Sequence, residues 1–290
     1  MGAEKPLLAF MSHHKCATRW VNGILRPLCR EMGYRHRVVW HPGMFDSNLS
    51  EFVAQYKIDF LSYTNAHYDF VKQLNTVRGF HVVRDPRDIC VSAYFSHLES
   101  HETEHWPELV EHRQKLQSMP RDEGLLLDME FVSVHMDEMD SWDYSDPDFL
   151  QVKMETLTAD PYRQFLGIFD FMGILDDRPL GARLSLQYAV ARRLRRATMA
   201  RISMPQYYGR IPAEKALGIV WRNNFSNKSG GRRPGEEDTA SHYRKGVPGD
   251  WRNYFQKEHI DFFKERYNSL LVKLGYESHC DWNEGGKSSK

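Results

Sequence analysis

Short apolar runs alternate with longer amphipathic stretches through most of this chain. The runs are rich in β-branched and aromatic residues, and the stretches between them repeat apolar side chains at helical spacing. This pattern predicts an α/β fold, with a central parallel sheet and helices on both faces. The predicted strands cover residues 7–11, 38–40, 58–63, 80–83 and 149–154. The predicted helices cover residues 18–32, 68–74, 107–116, 123–139, 161–172, 181–199 and 251–275, and another begins at Pro86.

No linker divides the sequence into two plausible cores. The chain has 290 residues and 41% hydrophobic side chains, which is enough for the core of one large α/β domain. We expect a single domain over residues 1–282, with a polar loop at residues 226–243. Residues 283–290 are mostly small, polar or charged, which predicts a disordered tail.

Charge and cysteine content argue against several functions. Lysine plus arginine and aspartate plus glutamate both number 39, and a net charge of zero gives no support for nucleic-acid binding. The N-terminal residues lack the apolar core of a signal peptide, and no run reaches the roughly 18–20 apolar residues of a membrane span. The four cysteines form no CxxC pair. We expect a cytoplasmic protein that binds neither nucleic acid nor membranes.

Two predicted strands end in turns that carry cations and hydroxyl groups. Residues 7–11 (LLAFM) run into SHHKCATRW, residues 79–83 (GFHVV) run into RDPRDICVS, and a helical pattern follows each turn. Such a turn brings backbone N–H groups, a helix N-terminus and a fixed cation around one oxyanion. Two of these turns predict a ligand with two separated anionic groups.

A third segment, residues 242–255 (HYRKGVPGDWRNYF), completes a set that resembles the sulfotransferases using 3′-phosphoadenosine 5′-phosphosulfate (PAPS). In that family a Lys-Ser-Gly-Thr-Thr-Trp turn holds the 5′-phosphosulfate. An Arg followed eight residues later by a Ser holds the 3′-phosphate, and an Arg-Lys-Gly-x-x-Gly-Asp-Trp run closes over the nucleotide. Residues 15–20, the pair Arg84 and Ser92, and residues 244–251 are similar to these motifs. The resemblance implies a three-layer α/β/α fold with a P-loop-like phosphosulfate turn.

The resemblance also implies roles at the phosphosulfate end. Lys15 would bridge the 5′-phosphate and the sulfuryl group and stabilise the leaving phosphate oxygen. Thr18 and the neighbouring amides would hold the same phosphate, and Trp20 would stack on adenine. The full set of predicted cofactor-binding residues is Lys15, Cys16, Ala17, Thr18, Arg19, Trp20, Arg84, Ser92, Phe225, Arg244, Lys245 and Gly246.

The other members of this set would bind the 3′-phosphate and the base. The resemblance implies that Arg84 and Ser92 hold the 3′-phosphate by charge-assisted hydrogen bonds. Arg244, Lys245 and the amide of Gly246 would hold it from the other side, because glycine allows close approach of the backbone. A looser match makes Phe225 a second adenine contact.

The chain departs from the family pattern in three places. Ala17 replaces the usual glycine, which keeps the amide but narrows the turn. Arg19 replaces the second threonine, so one hydroxyl contact is missing. Residues 154–157 (METL) stand where Tyr-Glu-Asp-Leu is common, which removes an aromatic nucleotide contact.

Proton transfer from the acceptor needs a general base, and histidine suits that role near neutral pH. In cytosolic sulfotransferases the base is a histidine just after the strand that precedes the 3′-phosphate strand. His67 has that position, although Asn65 replaces the family's lysine two residues earlier. His67 is therefore the predicted base, and His14, His97 or an acidic residue are the alternatives.

A different chemistry is suggested by residues 101–105 (HETEH), which match the HExxH pattern of zinc hydrolases. His101 and His105 would bind zinc, with Glu102 as the base. The surroundings disfavour this interpretation, because residues 99–111 are almost wholly polar and a zinc-protease helix needs an apolar back face. The sulfotransferase interpretation requires no metal. A third interpretation is a nucleotide-binding protein without turnover.

The acceptor is the least determined part of the prediction. Residues 137–148 are acidic and residues 192–201 are basic, so the pocket favours either a cationic or an anionic small molecule, depending on which run lines it. We expect transfer to a hydroxyl, less readily to an amine, of a small molecule such as a cationic natural product. The sequence leaves a monomer and a homodimer both open.

Overall fold

Five strands form one parallel sheet. The computed structural model describes residues 5–104, 106–176, 193, 207, 209–280 and 282. The strands are Leu7–Ser12 (β1), His36–Val39 (β2), Phe60–Thr64 (β3), Val77–Val83 (β4) and Phe149–Lys153 (β5), in the order β2-β3-β1-β4-β5. Helices flank the sheet, so the predicted α/β fold is confirmed.

The chain separates into two compact units, each built from several stretches of sequence. The sheet unit takes residues up to 12, 17–82 and 143–224. Its helices are Thr18–Met32 (α1), Leu49–Gln55 (α2), Tyr68–Val71 (α3), Met154–Ala159 (α8), Pro161–Phe171 (α9) and Ala213–Arg222 (α10). The helix unit takes residues 13–16, 83–142 and 225 onward. Its helices are Pro86–Phe95 (α4), Pro107–Gln117 (α5), Arg121–Phe131 (α6), Ser133–Asp140 (α7), Phe225–Lys228 (α11) and Lys257–Lys273 (α12). The single-domain expectation stays a prediction.

β1 runs through the middle of the sheet, and all but its first residue are buried. Phe10 of β1 stacks on Phe80 of β4 with ring centroids 4.9 Å apart. Gly79 of β4 lies opposite Ala9, and a Cβ at that glycine would come 2.4 Å from the Ala9 carbonyl oxygen. Because only glycine permits so close an approach, this contact helps to fix the register of β4 against β1.

β1 separates the strands that lie on its two sides in the sheet, β2 and β3 on one side and β4 and β5 on the other. The chain passes from β1 to β2 on one side of the sheet and later enters β4 and β5 on the other side. In open parallel sheets, ligands bind outside the carboxyl ends of the strands at such a change of side. Lys15 follows the end of β1, and Arg84 comes directly after β4.

A buried arginine holds the helix unit together. Arg87 of α4 is 2% exposed and pairs with Asp85 at 2.8 Å and with Glu277 at 2.6 Å. Its guanidinium lies 4.1 Å from the ring centroid of Trp251 and 4.7 Å from that of Trp282. Since its charge is paired and its faces are in contact with aromatic rings, Arg87 has a structural role.

Several predicted helix boundaries differ from the structure. The helix predicted over residues 123–139 is two helices, α6 and α7, because the backbone at Val132 has ψ of 3° and leaves helical geometry. The helix predicted over residues 251–275 begins at Lys257, after a 3₁₀ turn at Asp250–Asn253. α10 is absent from the prediction, and α4 continues into a π-helical turn, Ser96–Ser100. The predicted helix at 181–199, apart from residue 193, and the tail at 283–290 lie outside the described residues.

None of the described helices is long and apolar enough to cross a lipid bilayer.

Candidate active site

The backbone after β1 takes the left-handed conformation at two residues that are not glycine. Lys15 and Ala17 both have φ of 59°. This conformation costs an L-residue about 1–2 kcal/mol, and strain of this kind clusters at ligand sites. α1 begins at Thr18, and no described side chain caps its N-terminus. An anion is a suitable acceptor for N–H groups at the start of a helix, so this turn is a candidate anion site.

Within the helix unit, Lys15 and Arg84 lie together. Nη1 of Arg84 donates a hydrogen bond to the carbonyl oxygen of Lys15 at 3.3 Å, and Arg84 is 8% exposed. Ser92 is partly exposed on α4. Cys16 is buried, and its thiol donates to the carbonyl oxygen of His14 at 3.5 Å. The structure thus holds the Arg84 guanidinium against the backbone of the turn that carries Lys15.

Asp88 of α4 anchors the Arg-Lys-Gly loop, by which we mean residues 244–251. Its carboxylate accepts the backbone N–H of Gly249 at 2.6 Å and that of Trp251 at 2.9 Å. Burial raises the pKa of Asp88. The sequence analysis missed this residue, because its partners are distant in the chain.

The two cations of the Arg-Lys-Gly loop are already paired with carboxylates. Arg244 Nη2 and Lys245 Nζ each lie 2.5 Å from an oxygen of Asp250, and Arg244 also pairs with Glu237. The hydrogen bond to Asp250 raises the pKa of Lys245. A phosphate at this loop would compete with these carboxylates for the same N–H groups. The predicted phosphate role of both cations stays a prediction.

Gly246 lies against the ring of Phe225, and the predicted nucleotide roles of both residues stay predictions. Gly246 has φ of 69°, and a Cβ there would lie 2.6 Å from Cε2 of Phe225. Arg232 supports the loop by donating to the carbonyl oxygens of Tyr243 at 2.7 Å and Arg244 at 2.8 Å. The sequence analysis missed Arg232, since only the fold directs it to these carbonyls.

The remaining turn residues belong to the sheet unit. Thr18 Oγ1 and Ser12 Oγ are hydrogen bonded at 2.9 Å, and Arg19 is exposed. Trp20 donates its ring N–H to the carbonyl oxygen of Asn223 at 2.6 Å and is partly exposed. This bond fixes the indole at one edge, and stacking on adenine stays a prediction.

His67 also belongs to the sheet unit. It takes the N-cap position of α3, and its partly exposed ring lies edge-on to Phe70, with centroids 5.9 Å apart. Its role as the base stays a prediction.

The helix unit gathers five histidines that are scattered in the sequence, His14, His97, His101, His112 and His135, and we call them the histidine cluster. The ring of His14 lies 4.6 Å from that of His135, 5.3 Å from that of His97 and 5.7 Å from that of His101. Burial lowers the pKa of His14 well below its ordinary value and that of His101 to about 4. Both rings are therefore neutral near pH 7.

Part of the histidine cluster forms a buried triad with an acidic residue. Oδ1 of Asp128 accepts hydrogen bonds from both His97 and His112, so the polar atoms that lie within 4.8 Å of one another are partners in these hydrogen bonds. The HExxH pattern at residues 101–105 is a different set of residues. Residues 101–104 are not helical, so the described part of that pattern lacks the helix on which a zinc-protease motif depends, and His105 lies outside the described residues.

Several carboxylates of the acidic stretch at residues 137–148 form contacts within the protein. The contacts are Glu138 with His135, Asp140 with Lys273, Asp143 with Ser145, and Asp146 with the hydroxyl of Tyr68. Of these, the contact of Asp140 with Lys273 joins two opposite fixed charges. The basic stretch at residues 192–201 lies outside the described residues, apart from residue 193.

No protein-family model and no curated protein matches this sequence. Solved structures do match. Mouse sulfotransferase SULT7A1 complexed with PAP has a TM-score of 0.54 and 18% identity, over 96% of this chain and 91% of that chain. Retinol dehydratase in complex with androsterone and inactive cofactor PAP has a TM-score of 0.44 and 14% identity, over 92% of this chain and 81% of that chain. Only the first match is strong enough to bear on the fold. The chain has the fold of the sulfotransferases, as the three sequence motifs predict.

Proposed function

We propose that this protein is a PAPS-dependent sulfotransferase acting on a hydroxyl group of a small molecule. The hydrogen bond from the Arg84 side chain to the Lys15 backbone carries the proposal, because it joins the two cation-bearing turns that follow neighbouring strands of a sulfotransferase fold. PAPS has a 5′-phosphosulfate and a 3′-phosphate, so its binding needs two cationic sites in one protein. The product would be adenosine 3′,5′-bisphosphate (PAP).

Lys15 would act on the leaving group. PAPS supplies the sulfuryl group: a bond forms between the acceptor oxygen and sulfur, while the bond from sulfur to the phosphate oxygen breaks. Negative charge then develops on that phosphate oxygen, and a fixed ammonium stabilises it. The left-handed backbone at Lys15 and Ala17 supports this role, because it is typical of anion-binding turns.

Arg84, Ser92 and the Arg-Lys-Gly loop would bind the 3′-phosphate, with Asp88 holding the loop against α4. Trp20 and Phe225 would contact adenine. In the loop, Arg244 and Lys245 already donate hydrogen bonds to Asp250 and Glu237. Phosphate binding there would replace these carboxylate oxygens with phosphate oxygens as the acceptors.

The charge of the acceptor stays open: Asp140 of the acidic stretch is paired with Lys273, and the basic stretch lies outside the described residues apart from residue 193. A cytoplasmic location agrees with the buried free thiols of Cys16, Cys29 and Cys90. Monomer and homodimer both stay open.

The test combines binding with turnover. Calorimetry should detect binding of PAP to the wild-type chain, and [³⁵S]PAPS should label at least one acceptor in a panel of 4-nitrophenol, dopamine and simple alcohols. Failure to bind PAP would contradict the proposal. Binding without labelling would favour a nucleotide-binding protein without turnover. Activity lost on chelation and restored by zinc would favour the hydrolase alternative.

A further inference from the structure

Asp128 joins two buried histidines in the helix unit. Its Oδ1 accepts hydrogen bonds from Nδ1 of His97 at 2.7 Å and from Nε2 of His112 at 2.8 Å. The three residues come from the π-helical turn, α5 and α6, and their exposed fractions are 0% for His97 and Asp128 and 6% for His112. A carboxylate held this deeply fixes the orientation of both rings.

The bond to Asp128 determines which nitrogen of His97 can accept a proton. With Nδ1 donating to the carboxylate, a neutral His97 ring keeps its lone pair on Nε2. Nε2 of His97 is buried and has no hydrogen-bond partner among the described residues. Buried polar atoms normally have a partner, so this nitrogen points to a missing hydrogen-bonding ligand.

The surroundings of His97 place that nitrogen near the predicted sulfuryl site. His14, whose ring is 5.3 Å from that of His97, directly precedes Lys15 and also has a buried Nε2 without a described partner. Burial is the main cause that lowers the pKa of His14, His97 and His101, and the Lys15 ammonium lowers all three further. The cluster and the proposed leaving-group lysine therefore share one electrostatic environment.

Two partly exposed side chains lie beside the buried ring of His97. The rings of His101 and Trp106 lie 5.6 and 5.3 Å from that of His97, and both are partly exposed. Arg113 of α5 holds this segment by donating to the carbonyl oxygens of His97 at 2.5 Å and His101 at 2.7 Å. An acceptor that displaces the His101 ring would reach His97.

We propose that His97, oriented by Asp128, is the general base that takes the proton of the acceptor hydroxyl, in place of the sequence-predicted His67. This inference rests on the proposed sulfotransferase function. As the acceptor oxygen bonds to sulfur and the bond from sulfur to the phosphate oxygen breaks, the hydroxyl proton moves to Nε2 of His97. The resulting imidazolium pairs with Asp128 and later releases the proton to solvent. His97 is the catalytic residue here, and Asp128 is a positioning residue.

The central test is His97→Asn, because the asparagine amide replaces the Nδ1–H donor to Asp128 and removes Nε2. With [³⁵S]PAPS and 4-nitrophenol, kcat should fall by about 10²–10⁴-fold, the usual contribution of a general base. The calorimetric affinity for PAP should stay within about twofold, as a residue at the acceptor side requires. His112→Gln keeps a donor to Asp128 and is the control, so it should retain most of the turnover. His67→Asn compares the two candidate bases, and a loss of kcat there as large as the one expected for His97→Asn would overturn the inference.

Asp128→Asn supplies a readout that a purely structural role would not move. Removing the carboxylate makes His97 a weaker base, so the rising limb of the pH–kcat profile should shift to lower pH and its plateau should fall. The groups acting on His97 are Asp128, Lys15, His112, His14 and His101. Only Asp128 changes in this variant.

A spectroscopic measurement on the wild-type protein needs neither an acceptor nor a variant. It therefore tests the inference even if a variant misfolds or 4-nitrophenol is not a substrate. Long-range ¹H–¹⁵N spectra of histidine-labelled wild-type protein should show His97 with a proton on Nδ1 and none on Nε2 at pH 7.5. The opposite tautomer would overturn the inference. So would near-normal kcat in His97→Asn, an equal loss in His112→Gln, or a stoichiometric metal that His112→Gln releases. Absent PAP binding by the wild type would instead overturn the proposed function itself.

Discussion

The Arg-Lys-Gly loop and the histidine cluster handle charge in opposite ways. In the loop, Arg244 and Lys245 keep their charges because Asp250 and Glu237 pair with them. In the cluster, burial removes charge, and the pKa of His101 falls to about 4. A paired cation can exchange a carboxylate for a phosphate, whereas a neutral buried imidazole can accept a proton. One unit therefore holds paired cations and neutral imidazoles in separate regions, as the proposed roles in phosphate binding and proton transfer require.

Among the variants below, Lys15→Ala should have the largest effect, because Lys15 is the proposed leaving-group cation and acts electrostatically on the histidine cluster. Its loss removes the stabiliser of the leaving oxygen, and kcat for [³⁵S]PAPS transfer should fall by about 10²–10³-fold. Thermal unfolding should show a folded protein. Turnover within about threefold of the wild-type rate would exclude Lys15 from the chemistry.

Lowering the pH should destabilise the protein through the histidine cluster. The pKa of His101 is about 4 in the folded chain against an ordinary value of 6.5, so the unfolded chain takes up the proton first as the pH falls. The stability is present above about pH 6.5 and is lost toward pH 4. At pH 5 the loss from this residue is up to about 2 kcal/mol, to be measured by urea unfolding at pH 7 and pH 5.

His101→Asn is the matched control for this pH effect, and its free energy of unfolding should change less between the two pH values. Equal changes in the variant and the wild type would show that the His101 ring is not held neutral by the fold.

Arg244→Gln should weaken PAP binding by about tenfold or more, since it removes a charge-assisted hydrogen-bond donor from the Arg-Lys-Gly loop. Calorimetry with PAP gives the dissociation constant directly. Arg252→Gln is the control, because Arg252 is exposed and follows the loop directly. Equal affinities in both variants would remove the loop from the phosphate site.

Ala17→Gly should have the smallest effect, and it should stabilise the protein rather than impair it. Glycine adopts φ of 59° without the left-handed penalty, so the free energy of unfolding should rise by about 1 kcal/mol. Ala54→Gly in α2, at an exposed helical position, should lower it by a similar amount. Urea unfolding of both variants measures the contrast. A destabilised Ala17→Gly variant would show that the turn is not strained at this residue.

Local signals explain what the sequence could predict. α1 and α4 begin where the helical pattern after Cys16 and Asp85 predicts, because the apolar period, the strand-to-turn transition and a proline at the first helical position all act within a few residues. β1 and β4 likewise follow from short apolar runs, although β4 begins earlier than predicted, at Val77. The three phosphate-site motifs are also local, and their order matches a fold that the structure confirms.

A predicted helix boundary was wrong where the local pattern fits two structures equally well. The pattern at residues 123–139 is helical throughout, yet the chain turns at Val132, which is buried. A continuous helix and two shorter ones have the same local preference there. Packing of the flanking helices, rather than propensity, decides between them.

The sequence by itself determined the succession of strands and helices, the phosphate-binding types of residue at the ends of β1 and β4, and the absence of net charge. Tertiary structure alone decided which residues meet. His97 and Asp128 are 31 positions apart, and Asp88 and Gly249 are 161 apart. No short-range pattern encodes such contacts. The proposed role of His97 as a base depends on burial and on the hydrogen bond to Asp128. Both exist only after helices from distant parts of the chain have packed together.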